Sequence, residues 1–186
     1  MTELSSSPSD YELRTATRAD KDLLESMFQF YVYDFSEFED ATSGRLSLNP
    51  QGKFDLTPQF SPYWNDPLHW AYLVYVNQSP AGFALVNTKS HAGNTIDRNM
   101  AEFFVARKYR RQGLASEVFH KILDDHPGRW EVAIINANEA AKAFWPKAIR
   151  STPVARDLRL VEHSGQEWNG PIWTFACTPS RPTLVR

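Results

Sequence analysis

Cysteine is almost absent from this chain: Cys177 is the only one in 186 residues. A single thiol cannot close an internal disulfide and cannot build a cysteine-rich zinc cluster. Charge of one sign is lacking too. Lysine and arginine number 20 against 22 aspartates and glutamates, a formal net charge of −2. The chain therefore carries no global basic field of the kind that nucleic-acid binders use. No apolar stretch reaches the roughly 18 residues of a membrane span, and residues 1–10 lack the apolar run of a signal peptide. Neither a GxxxxGK loop followed by Ser or Thr nor a GxGxxG loop occurs, so ATP and NAD are not indicated. His69, His91, His120, His126 and His163 are scattered without metal-ligand spacing, and no metal is expected. These absences lead us to expect a soluble cytoplasmic protein that binds neither nucleic acid nor membrane.

Hydrophobic residues make up 42% of the chain, enough for one full core. We expect a single domain over 11–177, between a Ser/Pro-rich disordered tail at 1–10 and a Pro/Arg tail at 178–186. Tyr11–Thr15 alternates as a strand. Thr17 or Asp20 can cap a helix in which Leu23, Leu24, Met27, Phe28 and Tyr31 recur at helical spacing. Residues 31–69 are irregular, with a short helix expected within 31–39. Trp70–Val76 and 81–87 flank a four-residue polar turn, Asn77-Gln78-Ser79-Pro80, and read as a hairpin. Further strands are expected at 101–105, 130–136, 154–162 and 171–177, with helices after Gly113 and after Asn138. The order β-α-(loop)-ββ-β-α-β-α-ββ is a mixed α/β layout.

The stretch 101–126 organises the rest. The apolar run 101–105 is followed by Arg107-Lys108-Tyr109-Arg110-Arg111-Gln112-Gly113, with four cations in seven residues. Helical spacing then takes over at Leu114, Ala115, Val118, Phe119, Ile122 and Leu123. A helix whose first N–H groups are unpaired, preceded by a glycine and ringed by cations, is an anion site. Gly113 lets the backbone come close where a Cβ would intrude. The shape suits a pyrophosphate.

With Arg110, Gly113 and Ala115 at its three fixed positions, this segment resembles the acetyl-CoA pyrophosphate loop of the GCN5-related N-acetyltransferases (GNAT): Arg or Gln, two residues, Gly, one residue, Gly or Ala. A second segment, Asn138-x-x-Ala141-x-x-Phe144-Trp145-x-Lys147, resembles the family's second signature. The resemblance covers about 11–177 and implies an α/β (α+β) fold, a central mixed and mostly antiparallel sheet flanked by helices. It implies donor contacts from Phe104, Val105, Arg110, Arg111, Gln112, Gly113, Leu114, Ala115, Ser116, Asn138 and Trp145. Asn138 is equally suited to be only a helix cap. Three departures stand out. Trp145 replaces the tyrosine that often protonates the leaving thiolate, and an indole N–H cannot do so. Pro146 falls where the helix would continue, so the helix is expected to end or kink there. Ala148-Ile149 replaces the closing Gly-Phe. Arg111 also stands where many relatives carry a glycine.

The resemblance implies an N-acetyltransferase that moves acetyl from acetyl-CoA to a primary amine by direct attack. An alkylamine with a pKa of about 10.4 must lose a proton first, and Glu102 is the best general base. Strand alternation leaves its direction open, since a slip or a bulge turns it to the other face. The acceptor site falls in the aromatic and acidic segment, with Tyr31, Asp34, Glu37 and Tyr63 as its expected residues. Its carboxylates either wall a small cationic amine or are simply the solvated face of a helix. His69 is a reserve base; Tyr31, Tyr33 and Tyr63 are alternative proton donors, and Cys177 reads as a buried packing residue. A non-catalytic acyl-CoA sensor is the rival reading, supported by Trp145. A homodimer is left open.

Overall fold

The computed structural model describes residues 10–40, 42, 44–55, 60–165 and 168–178. Of the tails expected over 1–10 and 178–186, all but residues 10 and 178 lie outside the described residues. A seven-stranded sheet carries the fold. Its strands are β1 (Tyr11–Thr15), β2 (Trp70–Val76), β3 (Ser79–Asn87), β4 (Arg98–Val105), β5 (Gly128–Ala133), β6 (Ala155–Ser164) and β7 (Asn169–Cys177). They are ordered β1-β2-β3-β4-β5-β7-β6. β1–β2, β5–β7 and β6–β7 are antiparallel. β4 and β5 are parallel, with the pairs Arg98↔Trp130 and Asn99↔Glu131 at the start of β4. The helices are α1 (Lys21–Ser36), α2 (Ser61–Asn65), α3 (Leu114–Asp125) and α4 (Glu139–Ser151). No described helix is long and apolar enough to cross a membrane.

By packing, the chain divides into two compact units, Met1–Leu85 with Glu102–Gln112, and Val86–Ala101 with Gly113–Arg186. In the first, Thr17 donates both its N–H and its hydroxyl to Asp20, at 2.9 and 2.8 Å, fixing the turn into α1. Leu24, Met27, Phe28 and Val32 of α1 are buried against Leu73, Phe83, Leu85 and Phe104 of the strands. α1 runs without a break to Ser36, so the separate short helix expected within 31–39 is instead the last part of α1. Its apolar stripe continues through Tyr31 and Phe35, whose rings lie 4.5 Å apart. α2 was not foreseen. The β2–β3 turn is also tighter than expected. Asn77 (φ 49°) and Gln78 (φ 62°) are both left-handed, as a two-residue type I′ hairpin requires, and Ser79 and Pro80 already belong to β3.

In the second unit, α3 buries Leu114, Val118, Phe119, Ile122 and Leu123. Trp130 stacks on Phe175 at 6.3 Å and gives its indole N–H to the His126 carbonyl at 2.8 Å. Glu131 is fully buried, accepting from Ser90 Oγ at 2.7 Å and from the His91 N–H at 2.6 Å. Cys177 is buried in β7, and burial pushes its thiol up to about 11. α4 does not end at Pro146 but continues to Ser151. A proline leaves one helical bond unmade, yet Ala148 and Ile149 beyond it are buried like Trp145 before it. Burial on both sides of the proline holds the helix together.

Candidate active site

The centre of the site is the contact between β4 and α1. On β4, Glu102 points to the same face as buried Phe104, two residues on. On α1, Tyr31 sits among aromatic rings, with centroids 5.2 Å from Phe28, 5.9 Å from Phe83 and 6.3 Å from Phe104. The Tyr31 hydroxyl donates to the Glu102 carboxylate. Glu102 keeps partial solvent contact at the residue level, but protein surrounds its carboxyl. Burial pushes it from 4.5 up to about 7, partly offset by the Tyr31 hydrogen bond. Tyr31 is raised well above its ordinary value by burial and then by the charge and the hydrogen bond of Glu102. A carboxylate that titrates near neutrality can both hold and release a proton at working pH.

The loop after β4 is tied down at several points. The Ala106 N–H donates to the Ala81 carbonyl at 2.8 Å. Gly82 permits this closeness: a Cβ there would lie 2.3 Å from the Phe104 carbonyl oxygen. A 3-10 turn, Arg107–Tyr109, follows. Arg110 donates Nε to the Val105 carbonyl at 2.6 Å and lays its guanidinium over the Phe104 ring at 5.6 Å. Gln112 bonds the Lys108 carbonyl at 2.9 Å. Arg111 adopts φ 59° and Gly113 φ 83°. For an arginine that is a strained conformation; for glycine it is ordinary.

α3 then begins at Leu114, with Gly113 as its N-cap. The N–H groups of Ser116 and Glu117 go to the Gly113 carbonyl, while helical geometry provides no carbonyl for those of Leu114 and Ala115. Arg107, Lys108, Arg110 and Arg111 are all exposed. The Glu117 carboxylate is the nearest group to the space beside Gly113, at 3.8 Å from where a Cβ would lie. Within the second unit, the unpaired N–H groups at the start of α3 and the open space beside Gly113 suit an anion.

The other expected residues fall as follows. Asp34, one turn after Tyr31 on α1, is taken up by Arg107 and Arg110, so its carboxylate does not stand open as an amine wall. Glu37 is exposed at the end of α1, and its charge acts on Arg107. Tyr63, on α2, packs against the same aromatic core and meets the His69 ring edge-on at 5.2 Å. His69 Nδ1 lies 3.0 Å from the Asp66 carboxylate without hydrogen-bond alignment. In the second unit, the Asn138 side chain accepts from the Ala141 N–H at 2.9 Å and so caps α4. Trp145 is buried, its ring 5.1 Å from Phe119. Sequence reasoning missed the Arg107–Asp34 pairing and Gly82.

Comparison with known proteins now bears on this arrangement. Residues 27–148, which include Tyr31, Glu102 and the whole cationic loop, match the acetyltransferase (GNAT) family. The chain belongs to the GNAT acetyltransferase family. Membership implies an acyl-CoA donor. An acetyltransferase from Thermus thermophilus is similar in structure, with a TM-score of 0.62 at 17% identity, over 90% of this chain and 97% of that one. A GNAT acetyltransferase from Streptococcus pneumoniae matches with a TM-score of 0.54 at 14% identity, over 92% and 100%. A chimera of spermidine N-acetyltransferase SpeG from Vibrio cholerae and hSSAT matches with 0.52 at 14%, over 90% and 94%. At such identities the likeness speaks for the GNAT fold alone. No curated protein matches this acetyltransferase in sequence.

Proposed function

We propose that this acetyltransferase moves an acetyl group from acetyl-CoA to the nitrogen of a small primary amine, with Glu102 as general base. The observation that carries the proposal is the Tyr31–Glu102 contact, which gives a carboxyl near 7 on the strand leading directly into the anion loop. Family membership, and the match of Arg110, Gly113 and Ala115 to the family's loop pattern, support assigning the donor's phosphates to the residues from Arg110 to Ser116. Phe104 and Val105 lend backbone N–H groups to the reacting carbonyl. Bound acetyl-CoA supplies an activated thioester.

The amine arrives as an ammonium ion with a pKa of about 10.4 and cannot attack until it loses a proton. A carboxylate of ordinary pKa would be a poor acceptor. With Glu102 raised from 4.5 to about 7, that transfer becomes less uphill by about 3 kcal/mol. The Tyr31 hydroxyl holds the carboxylate in one orientation and remains protonated throughout. The aromatic rings around them keep bulk water away, which sustains the raised value. The acceptor side is aromatic more than acidic, because Asp34 is paired. The spermidine specificity of one structural relative does not carry over at 14% identity.

Calorimetric titration with acetyl-CoA, followed by free-thiol release over a panel of amines, tests the proposal. Binding with amine-dependent thiol release is expected. Binding with no release from any amine would favour a non-catalytic acyl-CoA sensor, and no binding would overturn the assignment of the loop.

A further inference from the structure

Asp34 has the composition of an amine-binding residue and the geometry of something else. One carboxylate oxygen accepts from Arg107 twice, from Nε at 3.1 Å and from Nη2 at 2.7 Å. The other accepts from Arg110 Nη2. Burial raises the Asp34 pKa, but the hydrogen bonds and charges of Arg110 and Arg107 outweigh it and hold the group below its ordinary value. Only 18% of its side chain is exposed. Arg110 passes the connection on through its Nε to the Val105 carbonyl, at the end of β4. Asp34 and Tyr31 are three residues apart and so share a face of α1. That face grips β4 and its loop at two points, at Glu102 through Tyr31 and at the arginines through Asp34.

We propose that Asp34 is a positioning residue of the donor side: it fixes Arg107 and Arg110 so that the residues that follow them, with Arg111 left-handed, are held ready for the donor's phosphates, and it makes no contact with the amine. The proposal rests on the acyl-CoA reading of the loop. Its corollary concerns specificity. Two guanidinium groups already face this carboxylate, so further cationic centres on the amine gain nothing from it.

The test compares wild type with Asp34→Asn and Asp34→Glu. Acetyl-CoA affinity is measured by calorimetry, and KM is measured for a monoamine and for a triamine such as spermidine at saturating donor. D34N loses two charge-assisted pairings and should bind acetyl-CoA about tenfold more weakly. KM for both amines should stay within about twofold, and D34E should restore most of the donor affinity. A merely structural role would lower the melting temperature without separating donor from amine. Should D34N not fold, Asp34→Ser, which also removes the carboxylate and leaves both arginines in place, carries the same measurements, and the same separation is expected from it. Unchanged donor affinity, or a rise in KM for the triamine alone, would overturn the proposal. A wild-type protein that does not bind acetyl-CoA would instead overturn the loop assignment on which it rests.

Discussion

Replacing Glu102 with glutamine probes the site through stability and turnover at once. Its carboxyl titrates near 7 instead of 4.5, chiefly because burial removes its water, with the Tyr31 hydrogen bond restoring only part of the difference. The folded protein therefore binds this proton more tightly than the unfolded chain does. Below about pH 4.5 the group is neutral in both states, and its contribution to stability is fully present. That contribution is lost as pH climbs through 7, above which an ionised carboxylate opposes folding. At roughly 1.4 kcal/mol per pH unit, the displacement from 4.5 to about 7 amounts to about 3 kcal/mol.

Glutamine keeps the shape and an oxygen to accept from Tyr31, but it never ionises. Urea unfolding at pH 8.5 should thus find E102Q more stable than wild type by up to about 3 kcal/mol, the gap closing towards pH 4.5. Over the same range turnover should fall by about 10²-fold or more, with acetyl-CoA affinity nearly unchanged. A variant that is less stable at pH 8.5, or offset equally at pH 5 and pH 8.5, would refute the account of a desolvated carboxylate. Undiminished turnover would remove Glu102 as the base.

Three further outcomes follow from the same contacts. Tyr31→Phe removes the hydrogen bond that restrains the Glu102 pKa, so the ascending limb of kcat/KM should move upward by about one pH unit; an unmoved limb would mean that the hydroxyl does not reach the base. Arg111→Gly relieves the φ of 59°, worth about 1 kcal/mol, so the melting temperature should rise while acetyl-CoA affinity falls with the lost cation; a lower melting temperature would contradict the strain. For wild type, kcat/KM should climb through pH 7 and then hold level to about pH 10; a decline near pH 8 to 9 would reveal a catalytic acid.

Local pattern carried much of this fold. Alternation gave β1 its observed bounds, and the spacing from Leu114 to Leu123 marked α3, since both signals arise within one turn or one strand pair. The departures occur where a tertiary contact outweighs a local preference. Pro80 reads as a turn residue, yet two left-handed residues close the hairpin before it. Pro146 reads as a terminator, yet apolar burial on both sides carries α4 past it. In the candidate site, the cationic loop was visible as composition, and Glu102 as a carboxylate on the strand that leads into it. Which face Glu102 takes was not visible, because Tyr31, the group it meets there, is far away in sequence. Nor could the residues reveal that Asp34 is neutralised. Counting carboxylates in the segment 31–40 suggests an acidic wall, and only the positions of two arginines cancel one of them.

The tryptophan at 145 bears on how the proposed reaction shares its protons. Tyr31 does not replace the missing acid. Burial and the neighbouring Glu102 charge hold its hydroxyl well above its ordinary value, so passing that proton to a thiolate, whose conjugate acid has a pKa of about 8.5, would run uphill. A thiolate of that basicity is a competent leaving group near neutral pH and takes a proton from water afterwards. The amine is in the opposite position, since with a pKa of about 10.4 it is blocked until something removes its proton. The difficult transfer therefore lies on the acceptor side. In the proposed reaction that side is served by the perturbed carboxyl of Glu102 and the Tyr31 hydroxyl, while Trp145 packs against Phe119. Loss of the tyrosine and retention of catalysis are thus compatible, provided that Glu102 carries the proton.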